Sequence, residues 1–184
     1  MRIISGSLGG RRVNPPAKMP HTRPTTDVAR EALFNILQNN VAFESLKTLD
    51  LFGGTGSITY ELASRGALEL TIVEKDDKMF SFIKNTAAAF NIENINVIKM
   101  DVFRFIDQCS EKFDFIFAGP PYALQTIDEL PVKVFEKNLL LPGGWFVLEH
   151  TPRNNYRQHP FFHKEKNYGT TVFSIFINPA KDSL

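Results

Sequence analysis

The chain has 184 residues, of which 43% are hydrophobic and 22% charged, and its formal net charge is +1. This composition fits one globular domain with a sizeable core. The single cysteine excludes a disulfide framework, and no apolar run approaches the roughly 18 residues of a membrane span. Because the beginning of the chain is too short and polar for a signal peptide, we expect a soluble cytoplasmic protein.

The near-neutral net charge conceals two basic segments. Residues 1–26 contain no acid and five cationic side chains, namely Arg2, Arg11, Arg12, Lys18 and Arg23. Residues 151–168 contain four cations against one acid, so the remainder of the chain is net acidic. Such asymmetry favours a local surface for a polyanion, although ordinary solvated segments would explain the same charges.

Glycines and prolines predict an extended or hairpin-like arm over 1–26, followed by the main domain over 27–184. Asp27 is predicted to cap a helix over 28–39, where apolar residues recur at helical spacing. Farther on, short apolar runs predict strands at 46–52, 70–73, 95–98, 113–118 and 145–148. The segments between them predict helices at 57–65, 76–90, near 102–110 and roughly over 126–139; Pro131 is awkward within the last of these and could lie in the first turn instead.

Apolar strands that alternate with helices predict a parallel sheet covered on both faces. Two further strands, near 163–168 and 171–177, are joined by a tight connection, so we expect them to add an antiparallel edge. The predicted fold class is therefore α/β. The four histidines show no metal-ligand spacing and are expected at the surface.

Glycines stand where the first strand becomes a helix, in "LDLFGGTGSITYELASRG" (49–66). Gly53, Gly54 and Gly56 permit a tight turn and a close approach of backbone N–H groups to a ligand. The stretch lacks the G-x-G-x-x-G of dinucleotide sites and the Lys-Ser/Thr of a P-loop. Asp50 would repel a pyrophosphate but suits a cationic or zwitterionic ligand. This contrast favours S-adenosylmethionine and opposes an NAD-dependent oxidoreductase, while a plain structural turn is the alternative.

Two more acids follow strand ends. Glu74 ends the second strand, about twenty residues after the glycines, where a carboxylate can accept both hydroxyls of a ribose; the alternative is a surface acid. Asp101 follows the third strand and could accept from an adenine amine, cap the next helix, or do both. Val102 and Phe103 would pack beside the ring. All these acids share the sheet edge where ligands of open α/β sheets bind.

These stretches together resemble the ribosomal RNA small subunit methyltransferase D family. The family has a Rossmann-like class I fold, depends on S-adenosylmethionine and makes N2-methylguanine in small-subunit (16S) ribosomal RNA. The resemblance covers nearly the whole chain in family order, and its segments are "MRIISGSLGGRRV" (1–13), "RPTTDVAREALFNIL" (23–37), "LDLFGGTGSITYELASRGA" (49–67), "VEKD" (73–76), "FDFIFAGPPY" (113–122) and "KNYGTT" (166–171).

The resemblance implies roles at matching positions. The methionine part of the cofactor would be surrounded by Asp50, Phe52, Gly53, Gly54, Thr55 and Gly56. Beside the methyl-transfer site would lie Arg23, Pro24 and Thr25. The ribose and adenine would contact Glu74, Lys75, Asp101, Val102 and Phe103. RNA phosphates, whose contacts position a substrate without reading its sequence, would bind Arg2, Arg11, Arg12 and Lys18. The protein would be a monomer that acts on an assembled or nearly assembled small subunit.

The stretch "FAGPPYAL" (117–124) departs from the family at one position. The family's catalytic Asp-Pro-Pro-Tyr motif is matched by Gly119, Pro120, Pro121 and Tyr122. In that motif the acid and a backbone carbonyl accept hydrogen bonds from the target amine, and the tyrosine stacks on a base pulled out of its helix. The tyrosine and the carbonyl remain here, but the carboxylate is missing.

No acid nearby in sequence replaces it convincingly. Asp114 lies roughly 16 Å back along the strand and cannot reach, whereas Asp128 and Glu129 would have to fold back from the following loop. Loss of one charge-assisted hydrogen bond predicts a rate about ten- to a hundredfold lower rather than an inactive protein. Gly119→Asp is expected to raise the rate if the glycine is merely a handicap, and to lower it if the acceptor has been rebuilt elsewhere.

Three interpretations therefore remain. The first is a guanine-N2 methyltransferase that acts on a flipped base in 16S ribosomal RNA. The second is another nucleic-acid amino-methyltransferase, for instance one that acts on DNA adenine, because a basic arm suits any nucleic acid. The third is a non-catalytic cofactor- or RNA-binding protein of ribosome assembly, which Gly119 favours.

Overall fold

The computed structural model describes residues 1–19 and 24–180. Within these residues one sheet contains β1 (Lys47–Leu51), β2 (Glu69–Glu74), β3 (Ile95–Lys99), β4 (Phe113–Ala118), β5 (Leu140–His150), β6 (Phe162–Tyr168) and β7 (Thr171–Ile177). The strand order is β3-β2-β1-β4-β5-β7-β6. Strands β1 to β5 are mutually parallel, and β7 runs antiparallel to β5 and β6. The predicted α/β sheet with an antiparallel edge is confirmed.

Helices cover both faces of this sheet. They are α1 (Asp27–Gln38), α2 (Ser57–Ser64), α3 (Asp77–Ala89), α4 (Val102–Gln108) and α5 (Glu129–Glu136), with a short 3₁₀ helix at Phe43–Ser45. Side chains on β5 alternate between the two cores, as the pleat of a strand requires. Trp145 belongs to the core cluster that contains residues of α1 and α2, whereas Phe146 belongs to the one that contains residues of α4 and α5. No described helix is long and apolar enough to cross a membrane.

Three predicted boundaries need correction. Thr26, not Asp27, caps α1, because its side chain accepts a hydrogen bond from the backbone N–H of Ala29 and leaves Asp27 in the first turn. Helix α5 is shorter than predicted because residues 125–128 form turns before it and it ends at Glu136. Pro131 lies in its first turn, as expected. The strand predicted at 145–148 begins earlier, because β5 starts at Leu140. The residues expected to form a turn before it belong to the strand, and its register with β4 shifts between Phe113 and Phe115.

Residues 1–13 form an N-terminal hairpin that packs against α2. Backbone hydrogen bonds pair its two sides, and Ile3 and Val13 are buried in the core. The fully buried carboxylate of Glu61 accepts from the backbone N–H groups of Ile4 and Ser5, at 2.8 and 3.1 Å. Over residues 1–13 the expected arm is therefore a hairpin, and buried polar contacts hold it against the domain.

Candidate active site

The carboxyl ends of β1, β4 and β5 meet at one edge of the sheet. The strand order reverses between β1 and β4, which is where open α/β sheets bind their ligands. A cleft lies at this point. Its β1 side is lined by Asp50, Phe52, Gly53, Gly54 and Thr55. Its other side is lined by Pro24, Thr25, Gly119 and Glu149.

The glycine loop after β1 has a backbone that side chains would obstruct. A Cβ at Gly53 would lie 2.7 Å from Ile72, and one at Gly56 would lie 2.5 Å from the ring of Tyr60. Gly54 and Gly56 also adopt positive φ angles, of 54° and 78°, which favour glycine. Glycines are therefore required for this turn, so the tight turn predicted from the sequence is confirmed.

Glu74 fixes the shape of this loop. Its Oε2 accepts from the N–H of Gly54 at 2.8 Å, and its Oε1 accepts from the N–H of Asp76 at the same distance. The carboxylate thus joins the end of β2 to the loop after β1. A cofactor-binding role for Glu74 stays a prediction, and so does one for Lys75, whose side chain is exposed.

Asp50 is the most perturbed acid of the cleft. Its side chain is 2% exposed and accepts from the hydroxyl of Thr59 at 2.8 Å. Burial is the main reason that the pKa of Asp50 is raised to about 8; the nearby charges of Glu74 and Glu149 act in the same direction, and the hydrogen bond from Thr59 opposes them. A cation beside Asp50 would restore its ionised form, so the position suits the ammonium or sulfonium group of a ligand.

Asp101 lies farther along the same edge. Its Oδ1 accepts from the N–H groups of Phe103 and Arg104, at 3.0 and 3.3 Å, so its predicted role as a helix cap is confirmed. Val102 is buried and Phe103 half-buried beside the cap. The N–H of Met100 donates to the carbonyl of Glu74, which keeps the ends of β2 and β3 together. Contact with an adenine remains a prediction for this cluster.

The turn after β4 carries the proline–tyrosine motif. The N–H of Gly119 donates to the carbonyl of Leu51 at 3.3 Å and ties the turn to the end of β1. Pro120 is buried, while Pro121 and the ring of Tyr122 are half-exposed. The Tyr122 hydroxyl lies 3.2 Å from Oγ1 of Thr171 and 3.1 Å from Oε1 of Glu149.

Glu149 is a site residue that the sequence reasoning missed. It stands near the end of β5, is 3% exposed, and accepts at Oε2 a hydrogen bond from the hydroxyl of Thr25. A Cβ at Gly119 would lie 3.8 Å from that same oxygen. The signal was available, because an acid at the end of a buried strand is what predicted Asp50 and Glu74.

The acids considered from sequence as substitutes lie elsewhere. Asp114 accepts from the N–H of Lys47 at the opposite end of β1, so the prediction that it cannot reach the turn is confirmed. Asp128 does not fold back, because it accepts from the hydroxyl of Tyr156 at 2.8 Å. Glu129 is exposed at the start of α5.

The basic residues of the arm are exposed where the structure describes them. Arg2, Arg11, Arg12 and Lys18 all have exposed side chains, and the guanidinium of Arg11 lies 5.4 Å from the ring centroid of Phe90. Arg23 lies outside the described residues. The expectation that His150 is at the surface was wrong: it is fully buried, with Nε2 2.8 Å from Oγ of Ser174.

The strand order and the site at the switch point define a methyltransferase with the class I fold. The chain belongs to the family described as conserved hypothetical protein 95, which matches residues 1–177. It is 28% identical to ribosomal RNA small subunit methyltransferase D of Escherichia coli K12 over 98% of this chain and 91% of that protein. It is 29% identical to the protein of the same name from Haemophilus influenzae, over 97% and 94%. The resemblance found in the sequence is confirmed.

Solved structures agree with this fold. A protein of Thermus thermophilus superposes with a TM-score of 0.83 at 27% identity and covers 96% of this chain and 98% of its own. An RNA methyltransferase of Salinibacter ruber in complex with S-adenosyl-L-homocysteine has a TM-score of 0.65 at 15% identity, with 85% and 94% covered. The second likeness supports the fold alone.

Proposed function

We propose that the protein binds S-adenosylmethionine in the cleft and methylates the exocyclic N2 of a guanine in small-subunit ribosomal RNA. The observation that carries this proposal is the buried Asp50, which lies beside a bare glycine loop and the proline–tyrosine turn at the switch point of the sheet. The names of the relatives from Escherichia coli and Haemophilus influenzae support the choice of substrate.

The residues of the β1 side fit the cofactor by their chemistry. Asp50 would hold the ammonium group, and the methionine chain would lie along the backbone of Gly53 and Gly54, which lines the cleft. Glu74 would accept from the ribose hydroxyls while it holds the loop, and Asp101 would accept from the adenine amine. When bound, S-adenosylmethionine supplies an electrophilic methyl group on a sulfonium.

The residues of the other side would place the target amine. The lone pair of a guanine N2 is delocalised into the ring, so catalysis requires correct placement and acceptors aimed at its N–H groups. The half-exposed ring of Tyr122 can stack on a base extracted from the RNA. The backbone carbonyl of the proline turn would serve as one acceptor, and the amine would lose its proton to solvent after transfer.

The N-terminal hairpin would bind the RNA backbone. Its cations are exposed, whereas buried contacts fix its path: Glu61 holds one side, and the buried guanidinium of Arg30 donates to the carbonyl of Arg2. Exposed cations on a backbone whose path is fixed position phosphates without reading bases. We therefore infer that residues 1–26 act as an RNA-contact unit on the methyltransferase domain of 27–184, and that one copy of the chain suffices on an assembled subunit.

A radiolabelled methyl-transfer assay tests this proposal. The substrates are small subunits that lack the modification, the corresponding naked RNA, and duplex DNA. We expect incorporation with the subunits and little with DNA. Cofactor binding measured by calorimetry without incorporation into any RNA would contradict the enzyme and favour a non-catalytic role, and preferential labelling of DNA would favour the second interpretation from the sequence.

A further inference from the structure

We propose that Glu149 supplies the carboxylate acceptor that the turn lacks, so that the acid of this site has moved from the end of β4 to the end of the neighbouring strand β5. The inference rests on the proposed function, because the group that Glu149 would accept from is the target amine. Glu149 lies outside the proline–tyrosine motif, and its carboxylate explains how the motif can begin with Gly119 instead of an acid.

The pairing of the two strands brings the positions together. Strands β4 and β5 are parallel neighbours, and Ala118 pairs with Leu148, so the next residues are Gly119 and Glu149. An aspartate in place of Gly119 would carry its carboxyl carbon on the Cβ, whose ideal position lies 3.8 Å from Oε2 of Glu149. The two alternative carboxylates would therefore occupy neighbouring positions in the same cleft.

Two hydroxyl groups hold the Glu149 carboxylate. Thr25 donates to Oε2 and Tyr122 donates to Oε1, so both oxygens have fixed directions beside the turn. The amine does not need a vacant oxygen. Because the Tyr122 hydroxyl also lies 3.2 Å from Thr171, it can turn to that partner when the amine of a stacked base approaches Glu149.

The same geometry indicates what an added aspartate would do. A Cβ on Gly119 would lie 3.0 Å from Cε1 of Phe117, which is buried and has little room to move. The added carboxylate would also join Glu149 and the buried Asp50 in one cleft, where like charges disfavour ionisation. We therefore expect Gly119→Asp alone to lower the transfer rate, which is the outcome that the sequence associated with a rebuilt acceptor.

The test compares Glu149→Gln, Gly119→Asp and the double variant, with the exposed Glu136→Gln as a matched control. Each protein is assayed for kcat and KM of methyl transfer to unmodified small subunits, for affinity for S-adenosylhomocysteine by calorimetry, and for its melting temperature. We expect Glu149→Gln to lower kcat about ten- to a hundredfold while cofactor affinity stays within about twofold. In the double variant, the introduced aspartate should restore at least about tenfold of that loss, because the glutamine beside it is neutral.

The rescue separates an acceptor from a residue that only holds its neighbours. A loss in Glu149→Gln that the introduced aspartate does not restore would mean that Glu149 merely positions Tyr122 and Thr25, and would overturn the inference. An unchanged kcat in Glu149→Gln would also overturn the inference. A Gly119→Asp protein faster than wild type would overturn it too, because the wild-type site would then lack an acceptor although Glu149 is present. Absence of transfer by the wild-type chain would overturn the proposed function itself and the inference with it.

Discussion

The two halves of the cleft differ in how their residues come together. On the β1 side, Asp50, the glycine loop and Glu74 lie within one strand–loop–helix–strand unit, and the loop is tied to Glu74 by the bond from Gly54. On the β4 side, Gly119, Tyr122 and Glu149 come from separate segments, and Thr25 reaches them from before α1. On the β1 side, the positions of the acids are set by contacts that are local in sequence. On the β4 side, residues from separate strands meet, so a carboxylate at the end of β5 can replace one at the end of β4.

The largest effect expected on the β1 side is that of Asp50→Asn. Removal of the buried carboxylate takes away the partner of the cofactor ammonium, so we expect affinity for S-adenosylhomocysteine to fall about a hundredfold. Calorimetry measures this, and the exposed Asp107→Asn, on α4, is the matched control. An affinity within about twofold of wild type would remove Asp50 from the site.

The pH dependence sharpens the same prediction. Because the pKa of Asp50 is raised to about 8, the free protein holds its proton below that pH, and a bound cation must expel it. Cofactor affinity should therefore rise with pH up to about 8 and then level, with proton release visible in buffers of different ionisation enthalpy. Between about pH 4 and about pH 8 the carboxyl of Asp50 is ionised in the unfolded chain but protonated in the folded one, so the free energy of unfolding falls as pH rises. Asp50→Asn has no such ionisation and should melt no lower than wild type at the upper end of that range.

A smaller effect is expected from Glu74→Gln. The amide keeps one acceptor but replaces the other by a donor, so either Gly54 or Asp76 loses its partner and the loop loosens. We expect cofactor affinity to fall about tenfold. Glu69→Gln at the exposed start of the same strand serves as the control. Equal affinities of the two variants would show that the loop does not need Glu74.

The smallest effect should come from the hairpin. Arg12→Gln removes one phosphate contact, so we expect RNA affinity to fall severalfold at low salt and the slope of log affinity against log salt to decrease by about 1. The cofactor affinity should not change. Lys112→Gln, exposed near the opposite end of the sheet, is the control, and a salt slope that equals wild type in Arg12→Gln would exclude the hairpin from the RNA interface.

The difference between local contacts on the β1 side and long-range contacts on the β4 side also explains what the sequence could predict. The alternation of strands and helices, the glycine loop and the acids Asp50 and Glu74 follow from local patterns, and the structure places them as expected. The cap of α1 was misassigned by one residue because Thr26 and Asp27 are both good capping residues. Glu149 carried the same local signal as Asp50 and Glu74, an acid at a strand end, and was overlooked; its proximity to Gly119 could not be predicted, because it depends on the pairing of β4 with β5.

The most direct test of the whole account is the identity of the methylated nucleoside. Unmodified small subunits are incubated with the wild-type protein and S-adenosylmethionine, and their RNA is digested and analysed by mass spectrometry. We predict N2-methylguanosine, at a rate about ten- to a hundredfold lower with Glu149→Gln. A methyl group on any other atom, or none despite bound cofactor, would contradict the account.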